Sequence, residues 1–277
     1  MGAKKKSVKN GGVSSRDVVA ENGVVEFTLL IPTIGCVEEV ADLLYTCEDM
    51  PCYNNDKKSQ IVLLLDRYDD GLAGYIKLTE LMIRRGKLKV GYILFEGCSY
   101  TAMVNRAALM VASNTFCVGD CLTVPVGKDS RKISEIISDW RLNIKGEDGK
   151  ALKGGCKVGV FKESEDTELP VVTKETVERL GYLFNPICRG RKDAEIWITT
   201  LAGKAKRLCE IDGMVGIKNT NVQIDEDPIS SVTEEDVKWS TAVLSVLLDE
   251  ESVFLMEASE WGETLTEEKT ENGVVSS

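Results

Sequence analysis

Between residues 25 and 120, apolar runs that stop at a proline or an acid alternate with apolar residues at helical spacing. Val25 to Ile31 is apolar and β-branched, and Pro32-Thr33-Ile34-Gly35 ends it. Val37, Val40, Leu43 and Leu44 then fall on one side of a helix. Ile61 to Leu65 is an uninterrupted apolar run that stops at Asp66, as suits a parallel strand covered on both faces. Asp69-Asp70-Gly71 makes a turn. Tyr75, Ile76, Leu78, Leu81 and Met82 mark a second helix, which Arg84-Arg85-Gly86 closes. Val90 to Phe95 reads as a third strand. Ser99 can cap a third helix carrying Met103, Val104, Ala107, Ala108 and Val111, and Thr115 to Val118 reads as a fourth strand. This order predicts a mostly parallel α/β sheet with helices on both faces, a Rossmann-like three-layer sandwich.

The alternation then breaks. A helix is expected over Asp129 to Trp140, a charged glycine-rich loop over Gly146 to Gly155, and an added strand over Lys157 to Phe161. A short helix follows over Thr173 to Leu180, an amphipathic one over Asp193 to Arg207, and a last strand over Met214 to Ile217. Thr233 to Leu248 reads as a capped helix outside this core.

Charge divides the chain further. Residues 223–277 hold 15 acids and 2 bases, a net of −13, so of the total of −11 residues 1–222 carry +2. Residues 1–22 are rich in Lys, Gly, Ser and Asn and read as a flexible basic arm. The expected organisation is therefore an arm over 1–22, an α/β domain over 23–222 and an acidic extension with one helix over 223–277. The arm and the extension could pair between subunits of a homo-oligomer. No run approaches the roughly 18 apolar residues of a membrane span, and no apolar stretch follows the N-terminal lysines as a secretory signal requires. Nine scattered cysteines, many in apolar segments, read as reduced thiols of a cytoplasmic protein. The absence of histidine removes every Ser-His or Cys-His scheme and all imidazole metal sites.

Three strand ends carry the candidate chemistry: Pro32-Thr33, Asp66 with Asp69, and Gly119-Asp120. In a parallel sheet they share one edge, where open α/β sheets bind ligands. The plainer alternative for each Asp is a turn or cap. No Gly-x-Gly-x-x-Gly or Walker loop is present, which disfavours a dinucleotide oxidoreductase or a P-loop NTPase.

In order and spacing these segments resemble the inverting GT-A glycosyltransferases, over about Val25 to Asn219. Phe27 to Thr33 matches their opening strand with its Pro-Thr turn, and Leu64-Leu65-Asp66-Arg67-Tyr68-Asp69-Asp70-Gly71 matches the strand whose Asp lies beside the base. Asn105 sits on the helix that precedes their metal-binding Asp-x-Asp, which aligns with Asp120-Cys121-Leu122. Val171 to Lys174 and Leu180 to Pro186 resemble the acceptor side, and Asp193-Ala194-Glu195-Ile196-Trp197 resembles the helix start that carries the catalytic Asp. Two positions depart from the pattern. Leu122 stands where the second Asp belongs, and Lys218-Asn219 where some relatives have a metal-binding His.

The resemblance implies sugar transfer from a nucleotide-sugar donor to an acceptor hydroxyl. The base would lie near Pro32, Thr33, Asp66 and Asp69. The ribose and diphosphate would lie by Asn105, Gly119, Asp120, Cys121 and Leu122. Asp120 would act alone or through a weakly held Mn²⁺ or Mg²⁺, for which it is the only identifiable ligand. Asp193 would take the acceptor's proton, and Arg189, Arg191 or Lys192 would offset the leaving diphosphate. The other reading is a catalytically inactive GT-A-like binding or assembly protein, which the altered Asp-x-Asp supports. Residue by residue the plainer roles are a loop bridge for Asn105, a helix-start acid for Asp193 and a structural bystander for Cys121.

Overall fold

The computed structural model describes residues 24–127, 130–143, 155–164, 167–188 and 190–217. The basic arm, Arg189, Lys218-Asn219, most of the loop at 146–155, and the expected helix at 233–248 with its acidic end lie outside the described residues.

Strands β1 (Val25–Thr33), β2 (Ser59–Asp66), β3 (Val90–Phe95) and β4 (Ser113–Val118) alternate with helices α1 (Val37–Asp49), α2 (Leu72–Arg85) and α3 (Tyr100–Met110). The chain continues as β5 (Thr123–Val126), α4 (Ile133–Asn143), β6 (Val158–Ser164), β7 (Thr167–Thr173), α5 (Lys174–Leu180), α6 (Arg191–Lys204), β8 (Leu208–Glu210) and β9 (Met214–Ile217). The main sheet has seven strands in the order β3-β2-β1-β4-β7-β6-β8, and β5 pairs with β9 in a separate ribbon. β1 is parallel to both β2 and β4, β2 to β3, and β6 to β8. The β6–β7 hairpin joins β4 in antiparallel fashion through β7.

Because strand side chains alternate, each strand feeds two cores. Phe27, Leu29, Ile31, Ile61, Leu63 and Leu65 pack with α1, α2 and α4 on one face. Leu30, Val62, Leu64, Phe116 and Val118 pack with α3, α5 and α6 on the other. The result is the expected three-layer α/β/α sandwich. Each fully buried Leu or Ile contributes about 1.5–3 kcal/mol relative to exposure, so both layers are firmly held.

The helix ends follow local rules. Ser99 Oγ accepts the Ala102 N–H at the start of α3. Gly86 ends α2 and Gly181 ends α5, both in the left-handed region at φ +70° and +81°.

Four expectations change. The stretch after Asp120, to which the sequence pattern assigns no element, contains β5. Pro125 is tolerated because β5 has a single partner strand. β7 shows no clean alternation, since Pro170 interrupts its apolar residues, and it becomes a strand by pairing with β4 and β6. α6 starts two residues earlier and stops three residues sooner than periodicity implies, because Lys206 takes a positive φ of 53° just past its end. The last strand, β9, lies in the small ribbon and not in the main sheet. No helix among the described residues is long and apolar enough to cross a membrane.

Candidate active site

From β1 the chain steps outward through β2 to β3, then returns to the far side of β1 as β4. The sheet therefore changes direction of winding between β1 and β4. α1 and α2 cover one face there and α3 the other. The segments leaving the C-terminal ends of β1 and β4 both run to the face covered by α1 and α4, and the strand ends between them form the edge at which open α/β sheets bind ligands. Asp66 ends β2 and Asp120 follows β4. Both strands run parallel to β1 on either side of it, so both acids lie at this edge, about 10 Å apart across the sheet.

On the β1–β2 side most polar groups hold the loops. Thr33 is fully buried, and its Oγ1 donates to the Leu64 carbonyl at 3.2 Å. Pro32 is half-buried. Asp69 ties two loops together: Oδ2 accepts the Gly35 N–H at 2.8 Å and Oδ1 the Gly71 N–H at 2.6 Å. Gly35 has φ +62°, a conformation glycine adopts without strain. Asp66 Oδ1 accepts the Tyr68 N–H at 3.0 Å. Tyr68 is 69% exposed, with its hydroxyl donating to Glu96 Oε1 at 2.8 Å.

Cys36, just before α1, donates its N–H to the Tyr75 hydroxyl at 2.7 Å. Its thiol ionises below the usual range. The Cys121 thiol hydrogen-bonds to it, the Tyr75 hydroxyl adds to this, and burial works the other way. Cys121 is raised in the same pairing. These two thiols bridge the loops after β1 and β4.

On the β4 side the backbone is tight. A Cβ on Gly119 would meet the Thr123 carbonyl at 2.9 Å, so only glycine fits. Asp120 closes the turn that follows. Its Oδ1 accepts the Leu122 N–H at 2.7 Å, the Thr123 N–H at 2.6 Å and the Thr123 hydroxyl at 2.8 Å. Its Oδ2 accepts from Arg191 Nη1. Arg191 Nε donates to Glu195 Oε1 at 2.6 Å, and Nη2 to Thr123 Oγ1 at 3.1 Å. Burial opposes the charge of Arg191, but the Glu195 and Asp120 carboxylates hold it firmly protonated. Burial raises the Glu195 carboxyl, against the pull of Arg191. The three side chains are 32% (Asp120), 21% (Arg191) and 17% (Glu195) exposed, so the cluster is only partly covered.

Asp193 is exposed on the first turn of α6. At about 100° per residue it lies about 160° around the helix from Arg191 and Glu195. The fold thus brings Arg191 and Glu195 to Asp120 and leaves Asp193 on the open side. Lys192 is exposed as well. Asn105 does not reach the cluster. Its Oδ1 accepts the Leu183 and Phe184 N–H groups at 2.9 and 2.8 Å, and its Nδ2 donates to the Phe184 carbonyl at 2.7 Å. The loop it holds places Phe184 against Tyr100, ring centroids 6.3 Å apart. The Tyr100 hydroxyl is buried without a hydrogen-bond partner among the described residues, within electrostatic reach of Arg191, Glu195 and Asp120.

Sequence reasoning did not single out Glu195 or Tyr100. The signal for Glu195 was the i, i+4 spacing from Arg191, which pairs an acid and a base on one helix face. Tyr100 gave none, because its neighbours come from α6 and the loop after α5.

The residues present do not fit the divalent cation that the resemblance implies. A hard cation takes about six oxygen ligands. Asp120 Oδ1 already serves three donors and Oδ2 faces a guanidinium, while Leu122 has no side-chain oxygen. Among the described residues no group of three or more Asp, Glu or Cys could hold a metal ion. A cavity of about 330 Å³ near Lys57, Lys87 and Lys89 lies at the opposite sheet edge, beside the start of β3, and shares no residue with the cluster.

No family model matches the sequence, and no curated protein matches it either. Solved structures do match in three dimensions. S. aureus TarS 1-349 in complex with UDP is 12% identical, with 84% of this chain and 70% of that chain covered and a TM-score of 0.50. The mannosyltransferase PcManGT from Pyrobaculum calidifontis, in complex with GDP-Man and Mn²⁺, is 13% identical, with 69% of this chain covered and a TM-score of 0.48. The chain spans 55% of the length of that mannosyltransferase. The likeness is one of fold, and the fold of this chain is GT-A.

Proposed function

We propose that this chain transfers a sugar from a nucleotide-sugar donor to an acceptor hydroxyl. The observation that carries the reading is the polar cluster at the β1/β4 switch point, in a fold whose ligand crevice lies there. That TarS, of the same fold, holds UDP supports a nucleotide donor. In this reading the base lies over Pro32, Thr33, Asp66 and Asp69, and the ribose over Gly119 to Leu122. Asn105 acts from behind by shaping the Phe184 loop. Glu195 is committed to Arg191, and Asp193, on the open side of α6, is assigned the acceptor's proton because its segment resembles the helix start that carries the catalytic Asp. That direct displacement inverts the anomeric centre: the acceptor oxygen bonds to it as the diphosphate leaves with the bonding pair.

A thermal-shift screen of UDP, GDP and their sugar conjugates tests the donor half. A ligand at 100 times its dissociation constant stabilises the fold by about 2.7 kcal/mol. A transfer assay on any donor that binds tests the rest. Asp193→Asn is expected to lower turnover by about 10²–10⁴-fold while sparing donor binding. Undiminished turnover in that variant removes Asp193 from the mechanism.

A second reading, an inactive GT-A-like binding or assembly protein, is favoured by one observation. Every oxygen of Asp120 is engaged within the protein. Absence of a shift with every nucleotide would select it.

A further inference from the structure

We propose that the Arg191 guanidinium meets the donor's diphosphate in the place where a divalent cation would stand, with the Tyr100 hydroxyl as a second donor to the same group. The inference rests on the nucleotide-sugar reading above. Arg191 has five N–H groups. Three are engaged, by Glu195, Asp120 and Thr123, and these fix the plane of the fork. One hydrogen on Nη1 and one on Nη2 have no partner among the described residues. They are not a parallel pair, since the hydrogen-bonded neighbours Asp120 and Thr123 occupy the fork between Nη1 and Nη2, so each is available singly to a different phosphate oxygen. Tyr100 supplies the independent sign of a ligand: a buried hydroxyl with no partner among the described residues, at the start of α3, which packs against α6. Such a group destabilises the fold unless something accepts its hydrogen.

Asp120 then has a different task from a metal ligand. Oδ1 stays locked in its turn by three donors, so Oδ2 is a fixed anchor for Nη1. Its charge also repels the incoming diphosphate. The two roles are separable by experiment. A metal ligand cannot be replaced by Asn without loss of anion binding, whereas an anchoring carboxylate that repels the ligand can.

The test is calorimetry on the full chain with UDP and GDP, each against its monophosphate, in EDTA and in Mn²⁺. The diphosphate is expected to bind equally well in both. Arg191→Gln is expected to weaken diphosphate binding about 10- to 100-fold and to remove the preference over the monophosphate. That preference is a readout a merely structural role would not move. Asp120→Asn is expected to tighten diphosphate binding several-fold. Tyr100→Phe removes a buried unpartnered hydroxyl, so it should hold or raise the melting temperature while weakening diphosphate binding several-fold. That variant keeps the test decisive should Arg191→Gln fail to fold. Strictly Mn²⁺-dependent binding, a tenfold or greater loss in Asp120→Asn, or unaltered affinity in Tyr100→Phe would overturn the inference and leave the nucleotide reading standing. Failure of both nucleotides to bind in either medium overturns the nucleotide reading, and this inference with it.

Discussion

Asn105 commits three of the four hydrogen-bonding positions of its amide to backbone, holding two N–H groups and one carbonyl of the loop at Leu183 and Phe184. Leu183 and Phe184 are buried, so removing the amide leaves two donors without water or partner. Asn105→Ala should therefore cost about 2–4 kcal/mol, at about 1 kcal/mol per lost bond plus the penalty of the stranded groups. Urea denaturation measures this. The folded fraction should bind nucleotide as before, whereas a direct nucleotide contact would weaken binding with little loss of stability. Cys36 offers a pH prediction. Its pairing with Cys121 and Tyr75 lowers it to about 6, so the thiolate predominates above that pH. Alkylation by iodoacetamide should then rise to half its maximum near pH 6, and not near the roughly 8.5 of an ordinary thiol. A midpoint above pH 8 for the Cys36 peptide would show that the thiol pair does not form. If the crevice binds nucleotide, saturating ligand should slow the reaction, since Cys36 sits on the loop after β1.

At the scale of elements, the first half of the chain was legible because each strand is buried on both faces and each helix has one apolar stripe. β1 to β4 and α1 to α3 are of this kind, and their order alone put Asp66 and Asp120 on one edge. β5, β7 and β9 were harder, since they owe their extended form to partners distant in sequence: β5 to β9, and β7 to β4 and β6. Propensity cannot report such pairing. The site divides in the same way. Strand-end residues could be placed by counting. The partner of Asp120 could not, because Arg191 follows it by 71 residues and reaches it only when α6 docks on α3 and β7. The start of α6 at Arg191 is itself decisive. Two residues of helix that periodicity did not assign turn Arg191 and Glu195 inward and Asp193 outward. An element-scale check follows. Gly119→Ala should disturb the turn that presents Asp120, because its Cβ would press on the Thr123 carbonyl and on Leu29. We expect a loss of about 1–3 kcal/mol, the range of overpacked sites, and weaker nucleotide binding in step with it.

For the whole molecule, charge and core separate along the chain. Among the described residues, both apolar layers are built from residues 27–215. The residues from 223 onward carry a net of −13 against +2 for the rest. A ligand with a diphosphate meets that charge as a long-range repulsion, which salt screens over about 8–10 Å at physiological strength. Two consequences can be measured on a chain ending at residue 222. Its thermal midpoint should stay within a few degrees of the full chain, because every core residue among those described is kept. Its affinity for UDP or GDP should exceed that of the full chain at about 20 mM salt, and the two should converge at about 300 mM, where the Debye length is shorter still. A midpoint lower by ten degrees or more would assign the C-terminal residues to the fold. An affinity gap that persists at high salt would mean that they touch the crevice directly, and the boundary at 222 would then fall inside the functional unit.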